Sequence, residues 1–262
     1  MDVTNLPQFT EQALTRNIFS LFEDSTRSEN YSVSAAGLFL DYAKQNIVDS
    51  EFAPLFTLAK QTGLAEKISA QFAGEQLNST EQRAVLHTVL RAPDEFKIDV
   101  LGEQAQEVIN TEAKMATIVD DIQSGKVRSV TGEKFTDILA IGIGGSYYGV
   151  KVALSALVPY HQKGLKAHVL ANVDGDAAQE KFAKLNASTT LVVVISKTFS
   201  TQETLLNATI VKTWMLDALA DKGNLPAEII AQHWYAISTN VKAATEFGID
   251  ANNILPMWDW VG

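Results

Sequence analysis

Short apolar runs that alternate with amphipathic stretches dominate the chain after about residue 115. The runs at 138–143, 166–173 and 191–195 lack the polar alternation of a strand with one solvated face. Strands of this kind, separated by helices, are typical of a parallel sheet covered on both faces. Two later runs, at 235–238 and 254–258, predict further strands. Because ligands bind at the carboxyl ends of such strands, we expect a functional site in the loops at those ends.

Helical signals predominate before this point. The segment 78–91 predicts an amphipathic helix with Asn78 as its N-cap and Glu81 reaching back to the cap. One face is apolar, and a second face carries a cationic stripe that we expect to pair with acidic neighbours: Arg83, His87 and Arg91. We therefore expect a mainly helical region at 1–114 and an α/β domain at 115–262.

Composition argues against several classes of protein. The 262 residues include 21 basic and 31 acidic side chains, and the formal charge of −10 disfavours binding to nucleic acid or to an anionic membrane surface. The absence of cysteine excludes disulfide scaffolds and Cys-ligated metal sites, and the four histidines show no His-x-x-x-His spacing. No targeting signal or membrane-spanning stretch is recognisable, so we expect a cytoplasmic protein.

A glycine-rich segment, here called the glycine loop (142–149), follows the first strand of the α/β domain. Glycines let a backbone turn tightly and point N–H groups at an anion beside a helix N-terminus. The spacing fits neither common nucleotide motif. A dinucleotide G-x-G-x-x-G would need glycine in place of Tyr147, and a P-loop that starts at Gly144 has Val150 where lysine is required.

A second segment, here called the hydroxyl loop (196–204), follows the third strand. It holds five hydroxyl side chains and one lysine in nine residues, a set of donors suited to phosphate oxygens. Ser200 and Glu203 also have capping-box spacing, which by itself explains both as helix-start residues. The two loops together predict an anion-binding cradle.

Four motifs, in this order, resemble the glucose-6-phosphate isomerase (phosphoglucose isomerase) family: TEQRAVLH at 80–87, IGIGGS at 141–146, SKTFSTQET at 196–204 and WDWVG at 258–262. The resemblance implies a sugar-isomerase (SIS) fold, which is a flavodoxin-like αβα sandwich with a parallel sheet. It implies interconversion of glucose 6-phosphate and fructose 6-phosphate through an enediol. It also implies a cytoplasmic homodimer of glycolysis and gluconeogenesis that uses no metal or organic cofactor.

The resemblance places residues of both loops around the substrate phosphate: Gly145, Ser146, Ser196, Lys197, Thr198 and Thr201. Backbone donors at two helix starts and short hydroxyls stabilise a phosphate dianion, and Lys197 adds a local positive charge in an acidic chain. Tyr147 and Tyr148 depart from the family pattern, where the second position is often leucine.

The family's catalytic groups are expected beyond Gly262. The family signature continues with Gly-Arg and a second SIS subdomain, which would supply the base at C2, the ring-opening histidine and a late lysine. Isomerisation needs a carboxylate to move the proton and a cation to stabilise the enediolate. We expect Glu203 to orient the arginine and not to act as that base. The chain is therefore expected to be the N-terminal half of the enzyme, with a phosphate site, no catalytic residue and no appreciable activity alone.

Two alternatives stay open. A non-catalytic sugar-phosphate-binding SIS module would explain both loops, but not the motifs at 80–87 and 258–262. A nucleotide-binding Rossmann domain, with Asp174 holding a ribose, would need the glycine that Tyr147 replaces. Comparing the binding of a sugar phosphate with that of NAD would distinguish these two alternatives.

Overall fold

The computed structural model describes residues 7–220 and 223–261. The chain divides into two compact units, Met1–Gln71 and Phe72–Gly262. The change in sequence texture near residue 115 falls inside one continuous helix, Ala105–Ser124. The division into a helical region at 1–114 and an SIS subdomain at 115–262 stays a prediction.

The N-terminal unit contains short helices and one hairpin: α1 (Pro7–Thr15), α2 (Arg27–Asn30), β1 (Ser32–Ala35), β2 (Leu38–Asp41), α3 (Asp49–Gln61) and α4 (Leu64–Phe72). β1 and β2 pair antiparallel. The turn between them places Ala36 and Gly37 at φ angles of 51° and 75°, the backbone that a two-residue hairpin turn matching the strand twist requires.

Arg27 is buried at the centre of this unit, with 4% of its surface exposed. Its Nε donates to the carbonyl of Ala43 at 2.8 Å, and its Nη2 donates to those of Gln45 and Ile47, both at 2.9 Å. The guanidinium carbon also lies 3.9 Å from the ring centroid of Tyr31. Because the guanidinium group is planar and has several donors, it can bond to all three carbonyls while it contacts the Tyr31 ring. These contacts hold the segment after β2 against α2.

Five parallel strands form the sheet of the second unit: β3 (Asp137–Ile141), β4 (Lys166–Leu170), β5 (Thr190–Ile195), β6 (Trp234–Ser238) and β7 (Ile254–Pro256). Their order across the sheet is β4-β3-β5-β6-β7, and every neighbouring pair is parallel. In chain order this is 2-1-3-4-5, the flavodoxin-like arrangement. The five predicted strands and the predicted α/β class are confirmed.

The helices of this unit are α5 (Asp94–Leu101), α6 (Ala105–Ser124), α7 (Gly145–Ala156), α8 (Gly175–Phe182), α9 (Gln202–Ala220), α10 (Pro226–His233) and α11 (Val241–Phe247). Alternate strand residues enter two separate cores. Val192 packs in the core that holds Val211 and Met215 of α9, whereas Leu191 packs with Ile122 of α6. Since successive strand residues point to opposite faces, α9 and α6 cover opposite faces of the sheet.

The helix predicted over 78–91 is wrong. Asn78 and Arg83 form an antiparallel bridge around a tight turn in which Gln82 has a φ of 54°. Asn78 Oδ1 does accept the N–H of Glu81 at 3.1 Å, as in a helix cap, but the bond closes this turn instead of opening a helix.

Hydrogen bonds to a distant segment account for the difference. Leu86 N donates to the carbonyl of Trp260 at 2.7 Å, and Arg83 Nη1 donates to that of Asp259 at 3.1 Å. Arg83 also pairs with the carboxylates of Glu81 at 3.1 Å and Asp259 at 3.3 Å. The 80–87 motif is thus an irregular segment that hydrogen bonds and an ion pair connect to the 258–262 motif.

Candidate functional site

The two predicted loops leave adjacent strands at the same edge of the sheet. β3 and β5 are parallel neighbours, and Ile141 is opposite Val194. The glycine loop begins at Gly142 and the hydroxyl loop at Ser196, directly after these strands. β3 has β4 as its other neighbour, so the connections out of β3 and β5 diverge here. This is the topological switch point, at which open α/β sheets form their ligand crevice.

The turn of the glycine loop needs glycine at two positions. A Cβ on Gly142 would lie 2.7 Å from the carbonyl oxygen of Ser146. Gly144 has φ 57° and ψ −121°, which side chains other than hydrogen rarely allow. A Cβ on Gly144 or Gly145 would meet no atom of the described chain within 4 Å. The backbone at the N-terminus of α7 therefore borders open space on this side.

Tyr147 and Tyr148, in the first turn of α7, have ring centroids 5.0 Å apart. Together with Gly144 they line a cleft of about 520 Å³ that extends to Asn172 and Lys181. Lys181 belongs to α8, so the aromatic pair borders the β4–α8 side of the glycine loop.

The hydroxyl loop is held by a buried aromatic side chain. Phe199 has a φ of 49° and only 3% of its surface is exposed. Its ring lies 5.9 Å from that of Phe247, and its N–H donates to the carbonyl of Ser196 at 3.3 Å. The loop therefore makes a tight turn with its one apolar residue in the core, while Ser200 is exposed and Thr201 half-buried.

Ser196 carries a buried hydroxyl that is unpaired. The residue is 3% exposed, and its Oγ has no hydrogen-bond partner in the described part of the chain. Its N–H donates to the carbonyl of Ile237 at 3.1 Å, so the backbone is fixed by β6. Leaving a buried hydroxyl without a partner costs about 1–3 kcal/mol. An acceptor oxygen from a ligand would remove that cost.

The capping box predicted for Ser200 and Glu203 is wrong. Helix α9 begins at Gln202, and Leu205 N donates to the carbonyl of Thr201, which places Thr201 at the cap position. Ser200 Oγ instead donates to Thr198 Oγ1 at 2.7 Å. Two neighbouring hydroxyls of the loop are thereby oriented by each other. Glu203 lies exposed in the first turn of α9, and its orienting role stays a prediction.

Three polar residues at the carboxyl end of β6, here called the β6 turn, were not singled out from the sequence: Ser238, the last residue of the strand, and Thr239 and Asn240, which follow it. They donate to the main-chain carbonyls of Lys197 and Thr198. The signal was available in the sequence, because three polar residues follow a buried apolar run at the edge where the two loops lie.

The cationic residues His87 and Arg91 do not form a stripe. His87 is exposed, and its carbonyl accepts Nη1 of Arg91 at 3.0 Å. Asp174, the candidate ribose ligand, caps α8 by accepting the N–H groups of Asp176 at 2.8 Å and Ala177 at 3.4 Å. The capping role accounts for this carboxylate without a nucleotide.

Within residues 7–220 and 223–261, no group of three or more His, Asp or Glu side chains is arranged to hold a metal ion. In the same residues, no helix combines the length and the apolar character needed to cross a bilayer.

Comparison with known proteins connects this chain to one family. The model of the family described as phosphoglucose isomerase matches residues 41–262. Among curated relatives, glucose-6-phosphate isomerase 2 of Colwellia psychrerythraea is 53% identical over all of this chain and 48% of its own length. Glucose-6-phosphate isomerase of Shewanella frigidimarina is 49% identical over 94% of this chain and 44% of its own length.

A crystal structure of a glucose-6-phosphate isomerase from Chlamydia trachomatis has the same fold, with a TM-score of 0.70 at 23% identity, over all of this chain and 49% of the other. The chain spans about half the length of these relatives. The extent of the family match and the identity to curated relatives together show that the chain belongs to the phosphoglucose isomerase family.

Proposed function

We propose that this chain supplies the phosphate-binding half of a glucose-6-phosphate isomerase, which interconverts glucose 6-phosphate and fructose 6-phosphate through an enediol. The observation that carries the proposal is the convergence of the glycine loop and the hydroxyl loop at the switch point between β3 and β5. The family match includes both loops and the motifs at 80–87 and 258–262, which favours the isomerase over a non-catalytic SIS module.

The phosphate is bound by residues of both loops: Gly145, Ser146, Ser196, Lys197, Thr198 and Thr201. Support comes from the open space beside Gly145 at the start of the 12-residue helix α7, and from the unpaired buried hydroxyl of Ser196. Helix N-termini and short hydroxyls are donors suited to a dianion. They meet its charge locally, in a chain whose formal charge is −10.

The acid–base groups lie, in this proposal, in the part of the relatives that this chain does not match. Moving a proton between C1 and C2 needs a carboxylate close to the substrate carbons. Glu203 is the one carboxylate in the hydroxyl loop, and we assign it the orientation of an arginine. The 262 residues alone then bind the hexose phosphate without turning it over.

We also propose that the whole enzyme is a cytoplasmic homodimer that uses neither metal nor organic cofactor. A hexose phosphate is a dianion that does not cross membranes unaided, so the enzyme belongs in the compartment where glycolysis and gluconeogenesis form it. A chain without cysteine is compatible with a reducing compartment.

Titration calorimetry of the 262-residue chain with glucose 6-phosphate, glucose and NAD tests the binding proposal. We expect heat from glucose 6-phosphate alone, with affinity that falls as salt is added. Binding of glucose as tight as that of its phosphate, or binding of NAD alone, would contradict it. A coupled assay tests the second part: near-normal turnover by the pure chain would show that its own residues carry the acid–base chemistry.

A further inference from the structure

Three donors converge on one main-chain oxygen of the hydroxyl loop. The carbonyl of Lys197 accepts Thr239 Oγ1 at 2.6 Å, Thr239 N at 2.9 Å and Ser238 Oγ at 3.0 Å. A carbonyl oxygen has two lone pairs, so three donors exceed what is needed to satisfy it. The arrangement fixes the direction of this carbonyl more strongly than burial alone would require.

The hydroxyl of Ser238 is itself held in place. Its Oγ accepts the N–H of Asn240 at 3.0 Å while it donates to the carbonyl of Lys197. Asn240 in turn caps α11 through Oδ1, which accepts Ala243 N at 3.0 Å. Its Nδ2 donates to the carbonyl of Thr198 at 3.1 Å. The β6 turn thus links two consecutive carbonyls of the hydroxyl loop to the start of a helix.

The direction of the Lys197 carbonyl sets the direction of the next N–H group. The carbonyl of Lys197 and the N–H of Thr198 belong to one planar trans peptide, in which they point in opposite directions. β5 lies between β6 and β3 in the sheet. Because the carbonyl points to the end of β6, the Thr198 N–H points to the side where β3 ends and the glycine loop begins.

The Thr198 N–H is available for a ligand. Within residues 7–220 and 223–261 it donates to no backbone carbonyl, whereas the neighbouring Phe199 N–H is used inside the turn. Donors that pull on the carbonyl of a peptide also polarise its N–H, which makes that N–H a better donor to an anion.

We propose that Ser238 and Thr239 are positioning residues of the phosphate site, which act through the Lys197–Thr198 peptide to aim the Thr198 N–H at the substrate phosphate. The inference rests on the proposed function and deepens it, because it assigns the preorganisation of one donor to residues at the end of a third strand, β6. Neither side chain needs to touch the ligand.

Replacing the two residues by apolar ones of similar size tests this proposal. Ser238→Ala with Thr239→Val keeps the volume and keeps the Thr239 N–H on the Lys197 carbonyl. We expect affinity for glucose 6-phosphate, measured by calorimetry on the 262-residue chain, to fall about tenfold. In two-dimensional amide NMR, glucose 6-phosphate should shift the Thr198 resonance of the unsubstituted chain, and this shift should shrink in the double variant while that of Gly145 persists.

Two further variants complete the experiment. Thr239→Ser alone, which keeps a hydroxyl at this position beside an intact Ser238, should retain most of the affinity. Thr245→Val is the matched control, because its hydroxyl donates to Val241 O within α11 and should not affect binding.

Three outcomes would contradict the inference or the proposed function. Unchanged affinity in the double variant, with binding intact in the unsubstituted chain, would overturn the inference alone. Loss of the Thr198 and Gly145 responses together with a lowered melting temperature would also overturn it, in favour of a purely structural role. Absence of binding by the unsubstituted chain would overturn the proposed function, and the inference with it.

Discussion

Ile141 and Val194 are opposite each other in two adjacent parallel strands, and within two residues each is followed by a loop of the proposed phosphate site. Neighbouring strands lie about 4.8 Å apart, a spacing over which donors from both loops reach one phosphate group. The register of the sheet therefore sets the geometry between two loops whose first residues, Gly142 and Ser196, are more than fifty positions apart in the chain.

Replacing two hydroxyls of the hydroxyl loop should weaken binding without unfolding the chain. For Ser196→Ala with Thr201→Val we expect about tenfold lower affinity for glucose 6-phosphate. Ser196 Oγ is unpaired, so its removal leaves the free energy of unfolding unchanged or raises it by up to about 1 kcal/mol. Calorimetry and urea unfolding measure the two effects.

Ser129 is the matched control, since it is buried to the same 3% but its hydroxyl is paired. Its Oγ bonds to Thr131 Oγ1 at 2.9 Å and accepts Glu133 N at 3.2 Å. Ser129→Ala should lower stability by about 1 kcal/mol or more and leave affinity unchanged. A stability loss of the same size in the Ser196 variant would show that Ser196 is a structural serine.

Glycine should be required at 142 and dispensable at 149. Gly142→Ala places a Cβ 2.7 Å from the carbonyl of Ser146, so we expect a loss of about 1–3 kcal/mol in the free energy of unfolding, together with weaker phosphate binding. Gly149 is exposed in α7 with nothing within 4 Å of a Cβ. Gly149→Ala should stabilise the chain by roughly 0.5–1 kcal/mol. Equal effects of the two substitutions in urea unfolding would contradict the loop geometry.

His233 should make the fold sensitive to acid. Its ring is fully buried, its Nε2 accepts Val130 N at 3.1 Å, and its Nδ1 lies 2.8 Å from the carbonyl of Thr190. A backbone N–H only donates, so the ring is neutral with its proton on Nδ1. Burial lowers the pKa of His233 below its usual value, against a smaller opposing effect of the bond to Thr190.

As the pH falls, His233 is therefore protonated at a higher pH in the unfolded chain than in the folded chain. The stabilisation is complete above the unfolded pKa of about 6.5, and below it stability falls by about 1.4 kcal/mol per pH unit until the folded pKa is reached. Urea unfolding between pH 5 and 8 measures the slope. His233→Asn should be less stable at pH 8 but lose this part of the pH dependence; an unchanged slope would assign it to other groups.

Arg27→Lys should destabilise the N-terminal unit. Lysine cannot reach the carbonyls of Ala43, Gln45 and Ile47 together, so buried acceptors are left unsatisfied, at a cost of roughly 2 kcal/mol or more. Hydrogen exchange resolved to residues of this unit measures the loss. Arg128, which is exposed and donates to Gly132 O, gives the control: Arg128→Lys should change protection by no more than about 0.5 kcal/mol. If Arg27→Lys and Arg128→Lys changed protection by similar amounts, the hydrogen bonds of the buried Arg27 guanidinium would contribute little to stability.

The central strands of the sheet could be predicted from the sequence because they are largely buried on both faces. Residues 191–195 form an unbroken apolar run whose ends are visible in the sequence. The segment 78–91 could not be predicted, since its decisive partners are remote. Arg83 bonds to Asp259, 176 positions along the chain, and a local capping pattern carries no information about that contact.

Part of the proposed site could likewise be predicted from the sequence, and part could not. Both loops are visible as clusters of glycine and hydroxyl residues after apolar strands. The unpaired state of Ser196 Oγ and the convergence of donors on the Lys197 carbonyl depend on how β5 and β6 lie side by side, which no single segment encodes.

Phe199 combines a left-handed backbone with a side chain in the aromatic interior. Its ring contacts Phe247, which in turn lies 5.7 Å from Trp234. A left-handed conformation costs a residue with a side chain about 1–2 kcal/mol, and burying a phenylalanine offsets this. A substitution among these rings would therefore reach the proposed phosphate site through the backbone of Phe199, and adapting that proposed site to another ligand would require compensating substitutions in the aromatic interior.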